Sequence, residues 1–221
     1  VLGIIAPRIY KKVIAVVPKQ KIWLMEDYRF TKDQIELVPN GIQTSFIEDV
    51  PLEEKQQEPL LITFTGRMEW YKGIQDVIEA IRIVIKDKNK KIAPFKFLAM
   101  GRPDKFTDNL QQLIKKYELE DYVELLFAPS DEERDTFYRK SSIFVLPSKW
   151  EATGIVLLEA MAKGNALIST NQNEACSIII KEGISGFSYD FGDEDKLSKI
   201  LVKLITDDEL RKNMIEHNKK F

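Results

Sequence analysis

The sequence contains one cysteine and one histidine. The lone thiol, Cys176, closes no internal disulfide, and with a single His it cannot furnish the four ligands of a zinc site. A reducing compartment, hence a cytoplasmic location, is the expectation. Neither sign of charge is in excess: 33 Lys and Arg stand against 35 Asp and Glu, for a net charge of −2. A nucleic-acid surface needs a strong basic surplus to offset phosphate charge, so no nucleic-acid partner is expected. Long hydrophobic runs are missing too. No stretch of about 18 uncharged apolar residues is available to span a bilayer. The apolar start, residues 1–6, gives way at once to a tract rich in Arg and Lys, which is not a secretory signal pattern. Internal repeats, low-complexity tracts and the Gly-Lys-Ser/Thr triplet of a P-loop are all absent. The first residue is Val rather than Met, and the expectation is a piece of a longer chain.

What is present suits a folded α/β protein. The length of 221 residues falls between one large domain and two small ones, at roughly 150 residues per domain. Apolar residues make up 44% of the chain, enough for a sizeable core. Five short runs read as buried strands: Leu60–Thr65, Phe95–Met100, Tyr122–Phe127, Ile143–Pro147 and Ala166–Thr170. They are nearly continuous in apolar or β-branched residues, as in a parallel sheet covered on both faces. Between them lie segments of helical period. In Ile74–Ile85 the apolar positions 74, 77, 78, 81, 84 and 85 follow the one-face rule. Residues 105–118, 131–140 and 154–163 are also helix-like. This alternation predicts an open, Rossmann-like parallel sheet with helices on both faces. Val13–Pro18 and Ile35–Val38 read as strands with a helix over Lys19–Arg29 between them, and Pro39-Asn40-Gly41 marks a turn and a boundary. Residues 193–206 and 207–220 read as two helices opened by acidic residues.

Ligands of such sheets lie beyond the C-terminal strand ends. After the first of the five strands comes Gly66-Arg67-Met68-Glu69-Trp70-Tyr71-Lys72-Gly73. Two cations flanked by glycines can hold an anion, although a solvated basic turn accounts for the stretch equally well. Gly101-Arg102 after the second strand is explained by a tight turn. Ala128-Pro129-Ser130-Asp131, following Phe127, offers a helix cap at Ser130 or Asp131 and a backbone able to read a nucleobase edge. The fourth strand leads into Pro147-Ser148-Lys149-Trp150-Glu151-Ala152-Thr153-Gly154-Ile155 and on to Glu159. The helix opening near Gly154 has unpaired, partly positive N–H groups suited to phosphate. Taken singly, Glu151 reads as a loop carboxylate and Glu159 as a helix-surface position. Together with Arg67 and Lys72 they read as a diphosphate clamp and two acceptors of sugar hydroxyl protons.

Glu151 and Glu159, with seven residues between them, resemble the E-x7-E signature of GT-B-fold retaining glycosyltransferases, family 4 in particular. Val38-Pro39-Asn40-Gly41-Ile42 looks like the hinge of that family, and Gly66-Arg67 with Lys72-Gly73 like its diphosphate clamp. Ile143–Ser148 resembles its strand ending in Pro-Ser. Gly183-Ile184-Ser185-Gly186-Phe187 with Gly192-Asp193 resembles its tail. The likeness covers residues 35–221 and implies transfer of a hexose from a nucleoside-diphosphate sugar, UDP-linked by preference, to a glycan or lipid-linked acceptor in cell-surface polysaccharide synthesis. By this resemblance Arg67 and Lys72 bind the donor diphosphate and neutralise the leaving group without a metal or other cofactor. Glu151 contacts the donor sugar and completes the catalytic set, and Glu159 holds the ribose. Gly66, Gly101, Arg102, Phe127, Ala128, Thr153, Gly154 and Ile155 complete the expected donor site. Asp193-Glu194-Asp195 imitates a metal motif of another transferase fold but follows Gly192 and opens a helix, so capping explains it better.

The implied domains are residues 1–38, the tail of an N-terminal acceptor domain with its linker; 39–205, the nucleotide-sugar domain; and 206–221, a C-terminal helix. The chain alone is expected to bind donor weakly and transfer little, and any peripheral contact with the inner face of a membrane to come through the preceding domain. Two departures stand out: Thr153 replaces the family's usual aromatic or Cys, and residues 170–177 lack its Gly-Gly turn, so no role is carried there. Epimerases and phosphorylases of related fold lack this motif set or need a longer chain. The alternative function is a nucleotide-sugar-binding partner or regulatory domain without catalysis.

Overall fold

The computed structural model of the protein describes residues 2–43, 47–87, 92–151 and 153–220; Ala152, inside the E-x7-E stretch, lies outside them. The chain forms two compact units, Val1–Ile42 and Gln43–Phe221. In the first, α1 (Leu2–Ile9), β1 (Val13–Ala15), α2 (Pro18–Glu26) and β2 (Ile35–Leu37) follow in order. The two strands pair in parallel, Val13 beside Ile35 and Ala15 beside Leu37. Ala15, Phe30 and Ile35 form a small core.

The second unit carries β3 (Leu60–Thr65), α3 (Ile74–Lys86), β4 (Phe95–Gly101), α4 (Thr107–Lys116), β5 (Val123–Phe127), α5 (Asp131–Lys140) and β6 (Ile143–Leu146). It continues with α6 (Ile155–Ala162), β7 (Ala166–Thr170), α7 (Glu174–Ile179), β8 (Gly186–Tyr189), α8 (Glu194–Thr206) and α9 (Asp208–Asn218). Its sheet has six strands in the order β5-β4-β3-β6-β7-β8, all pairs parallel. This is the open α/β sheet the sequence predicts. β3 and β7 coincide with the predicted runs. β6 stops at Leu146 because Pro147 has no N–H to give to the ladder. β8 and the short α7 were not anticipated: Gly-Phe-Ser-Tyr is neither an apolar run nor a long alternation.

The core follows from the apolar pattern. Ile62, Phe64, Phe97, Phe144, Val145, Leu146, Leu167 and Ile168 are fully buried along the central strands. α3 turns Ile74, Val77, Ile78, Ala80, Ile81 and Val84 inward at helical spacing, and packs on α4 and α8. Right-handed crossovers place α5 and α6 on the opposite face. Ser130 caps α5, accepting from the Glu133 N–H while Glu133 returns a bond to the Ser130 N–H. The Asp193 side chain accepts from the Lys196 N–H at 2.9 Å, so that stretch does cap a helix. Lys55, buried, donates to the Tyr138 and Ser141 carbonyls at 3.2 and 2.8 Å, where α5 ends and its dipole favours a cation. No helix of the described residues is long and apolar enough to cross a membrane.

One buried carboxylate ties α3 to the far edge of the sheet. Asp76 accepts the Gly192 N–H at 3.0 Å, and burial raises its pKa from the ordinary 3.8 to about 6, against the lowering effect of that N–H. The folded state therefore binds this proton more tightly than the unfolded chain, and the contribution of Asp76 to stability falls as pH rises from about 4 to about 6. Asp76→Asn removes that loss. Urea unfolding should show the variant gaining roughly 2 kcal/mol on wild type between pH 4 and pH 7; parallel pH profiles for the two proteins would refute the assignment.

Candidate functional site

The strand order reverses between β3 and β6. The chain runs outward from β3 through β4 to β5, then crosses back to lay β6 on the other side of β3. Such a reversal leaves a crevice beyond the C-terminal strand ends, because the connecting segments leave in opposite directions. Three contacts bridge it. Lys72 Nζ donates to Glu151 Oε2 at 2.7 Å, across 79 chain positions. The Lys149 N–H donates to the Tyr71 carbonyl at 2.7 Å. Gly73, at φ 74°, packs so closely that a Cβ there would lie 2.1 Å from the Pro147 carbonyl oxygen; only glycine meets both conditions.

Neighbouring strand ends are joined in the same way. The Gly66 N–H donates to the Met100 carbonyl, the Met68 N–H to that of Arg102, and the Ala128 N–H to that of Gly101. A Cβ on Gly101 would lie 1.6 Å from the Gly66 carbonyl oxygen. Gly101 and Arg102 thus form the wall against which the β3 loop is built. Phe127 and Ala128 are exposed at the end of β5.

The motif residues take up distinct environments. The Lys72 and Glu151 side chains are only 14% and 17% exposed, so their attraction is weakly screened. Arg67 lies open at 60% exposure, held by Glu69 at 2.8 Å and by the Tyr71 hydroxyl at 2.7 Å rather than by either motif glutamate. The hydrogen bond from Tyr71 to Glu69 raises the phenol pKa and keeps its proton in place. Thr153 is half-buried; Gly154, buried at φ 61°, precedes the first turn of α6, and Ile155 is the first residue of that helix. Glu159 lies one turn further on, where its Oε2 accepts the Tyr138 hydroxyl at 3.1 Å. Tyr138 is fully buried; burial first, then the Glu159 charge, hold its proton well above the ordinary range. It is a fixed neutral donor that aims Glu159. The sequence hid this role, because Tyr138 reads only as an apolar position of α5.

The loop that follows β6 is anchored beneath at Ser148. The Ser148 carbonyl accepts from Thr170 Oγ1, and from Asn173 Nδ2 at 2.7 Å. Ser148 Oγ and Asn173 Oδ1 are buried there with no hydrogen-bond partner among the described residues. Cys176 is buried close by, accepting from Ser169 Oγ at 2.8 Å, with burial raising its thiol to about 11. Among the described residues no group of three His, Cys, Asp or Glu side chains is placed to hold a metal. A concavity of about 600 Å³ lies at the opposite end of the strands, lined by Lys55, Leu60, Pro94 and Arg211. None of the sequence-predicted residues faces it.

The family model described as "Glycosyl transferases group 1" matches residues 46–221. An uncharacterised glycosyltransferase of Methanocaldococcus jannaschii is 31% identical over 158 residues, 72% of this chain and 42% of that protein. The phosphatidyl-myo-inositol mannosyltransferase of Mycolicibacterium smegmatis is 27% identical, over 95% of this chain and 52% of its own. The chain thus spans about half the length of the curated relatives it matches. Among solved structures, Anabaena Alr3699/HepE in complex with UDP and glucose superimposes with a TM-score of 0.83 at 17% identity, covering 97% of this chain and 59% of that one.

The weakly screened pair across the crevice should be measurable in the ligand-free protein. A double-mutant cycle with Lys72→Met and Glu151→Gln, read by urea unfolding, should give a coupling of about 1–2 kcal/mol. A coupling near zero would show that the two side chains do not meet in solution.

Proposed function

The chain belongs to the family of group 1 glycosyl transferases, and we propose that it is the donor-binding half of a retaining hexosyltransferase whose donor is a nucleoside-diphosphate sugar. One observation carries this reading: Lys72 and Glu151 meet at the reversal of strand order, beside the open N-terminus of α6. A cation, a carboxylate and unpaired N–H groups together suit a sugar diphosphate. The fold shared with a protein bound to UDP and glucose favours UDP as the carrier.

In this reading the diphosphate displaces Glu151 as the counterion of Lys72. Lys72 and Arg67 then offset the negative charge that grows on the leaving phosphate as the glycosidic bond breaks. Released from Lys72, Glu151 accepts hydroxyl protons of the donor sugar, which orients its anomeric carbon. The N–H groups from Thr153 to Ile155 meet sugar or phosphate oxygens. Glu159, aimed by Tyr138, accepts the ribose hydroxyls. Two cations do the work that a metal performs elsewhere, so no cofactor is required.

The acceptor, a glycan or lipid-linked saccharide, binds largely outside this chain, which spans about half the length of its curated relatives. The mannosyltransferase relative, which by name acts on phosphatidyl-myo-inositol, favours a lipid-linked acceptor; a cytoplasmic enzyme at the inner face of the membrane is part of the same proposal. The 221-residue chain alone binds donor weakly and transfers little.

Calorimetric titration with UDP, GDP, ADP and their glucose conjugates tests the reading. One nucleotide should bind, EDTA should leave its affinity unchanged, and Arg67→Ala/Lys72→Ala and Glu159→Ala should each lower it about tenfold or more. Loss of binding with EDTA would overturn the metal-free mechanism. Affinity indifferent to both variants would overturn the site.

A further inference from the structure

Beside the donor crevice stands an aromatic cluster that donor binding leaves unused. Trp70 and Trp150 come from the loops after β3 and β6, with ring centroids 5.4 Å apart and planes at 82°. The Tyr71 ring lies 6.0 Å from that of Trp150. Lys149 Nζ sits 5.3 Å from the Trp70 ring and 4.9 Å from the Trp150 ring, and draws the two loops together. Despite this packing the indoles stay 46% and 57% exposed. Large rings are usually well buried, because their apolar area is costly to leave in water.

Against Trp70 opens a concavity of about 380 Å³, lined by Glu69, Trp70, Tyr71, Asp104, Lys105 and Phe106. It lies between the loops that follow β3 and β4. Its volume is within the ~300–1,000 Å³ range of small-molecule sites. Three rings supply flat apolar faces, while Glu69, Asp104 and Lys105 supply two carboxylates and an ammonium. A pyranose has the matching division: C–H bonds crowd its faces and hydroxyls ring its edge. The place also fits. Trp70 is two residues before Lys72, and Glu69 pairs with Arg67 at 2.8 Å, so an occupant would lie against the diphosphate clamp.

We infer that this concavity is a subsite for a pyranose unit of the acceptor, stacked on Trp70 with its edge hydroxyls bonded by Asp104 and Lys105. That the occupant belongs to the acceptor rests on the proposed donor site; that it is a pyranose rests on the lining alone. The subsite lets the donor-binding half take a direct part in choosing the acceptor.

Saturation-transfer NMR on the 221-residue chain tests this, with methyl α-glucopyranoside, methyl α-galactopyranoside and methyl α-mannopyranoside as probes, each with and without UDP. At least one probe should receive saturation and keep it when UDP is added. Trp70→Ala should cut the transfer about fivefold, the worth of one ring contact, and Trp70→Phe should retain it. Asp104→Ala, at an exposed position outside the ring cluster, should cut it as well. Calorimetric UDP affinity should not change in Trp70→Ala. No transfer to any probe, transfer indifferent to Trp70→Ala, or loss of transfer on adding UDP would each overturn the subsite; the last would give the concavity to the nucleotide. If UDP fails to bind while transfer still depends on Trp70, the donor reading falls and the pyranose site stands.

Discussion

Backbone pairing between β3 and β6, which sets Ile62 beside Ile143, is the interaction on which the rest of the second unit depends. It joins two halves of the chain, each winding outward from the middle of the sheet, and it puts their loops face to face. Everything at the crevice follows from that closeness. Gly73 must be glycine because the Pro147 carbonyl is against it. Tyr71 and Lys149 share a backbone hydrogen bond. Lys72 and Glu151 neutralise each other instead of remaining as two poorly hydrated charges. The reversal in strand order is therefore a chemical arrangement as well as a topological one.

The charges at the crevice are set for exchange. Lys72 already has an anionic partner, so a phosphate must compete with a carboxylate held within hydrogen-bond distance. In the proposed reading selectivity benefits: a diphosphate displaces Glu151 where a weakly charged ligand would not, and the carboxylate is then free beside the sugar that arrives with it. Glu159 is treated differently, with Tyr138 fixing one oxygen from below. In that reading the first glutamate is freed by binding and the second is ready beforehand.

Much of this was legible in the sequence, for reasons that can be named. β3, β4, β6 and β7 are buried on both faces and read as nearly continuous apolar or β-branched runs, and α3 shows a clean stripe. β8 escaped because it is an edge strand of four residues with a glycine and a serine, and α7 because it is too short to show a period. In the site, Arg67, Lys72, Glu151 and Glu159 each had a plain reading when taken singly, and only their resemblance to a family motif set them apart. Their partners had no such mark. That Lys72 meets Glu151, that Tyr138 supports Glu159, and that Trp70 meets Trp150 are facts of tertiary closeness between residues far apart in the chain, and no local pattern encodes them. The outward engagement of Arg67 by Glu69 and Tyr71 is local, yet depends on the 3₁₀ turn at Trp70–Lys72, which the sequence does not announce.

The order of strands also bears on how the chain is made. β3, β4 and β5 are synthesised first and can pair at once, but the β3 edge that receives β6 stays open until residues 143–146 emerge. That edge belongs to the most apolar part of the sheet, with Ile62 and Phe64 beside it. A nascent chain therefore carries, from the end of β3 at Thr65 until β6 begins at Ile143, a strand edge with a sticky margin of unpaired amides and carbonyls. The same margin that later frames the crevice is, during translation, the point at which two nascent copies could zip together, and the speed at which the second half arrives decides how often they do.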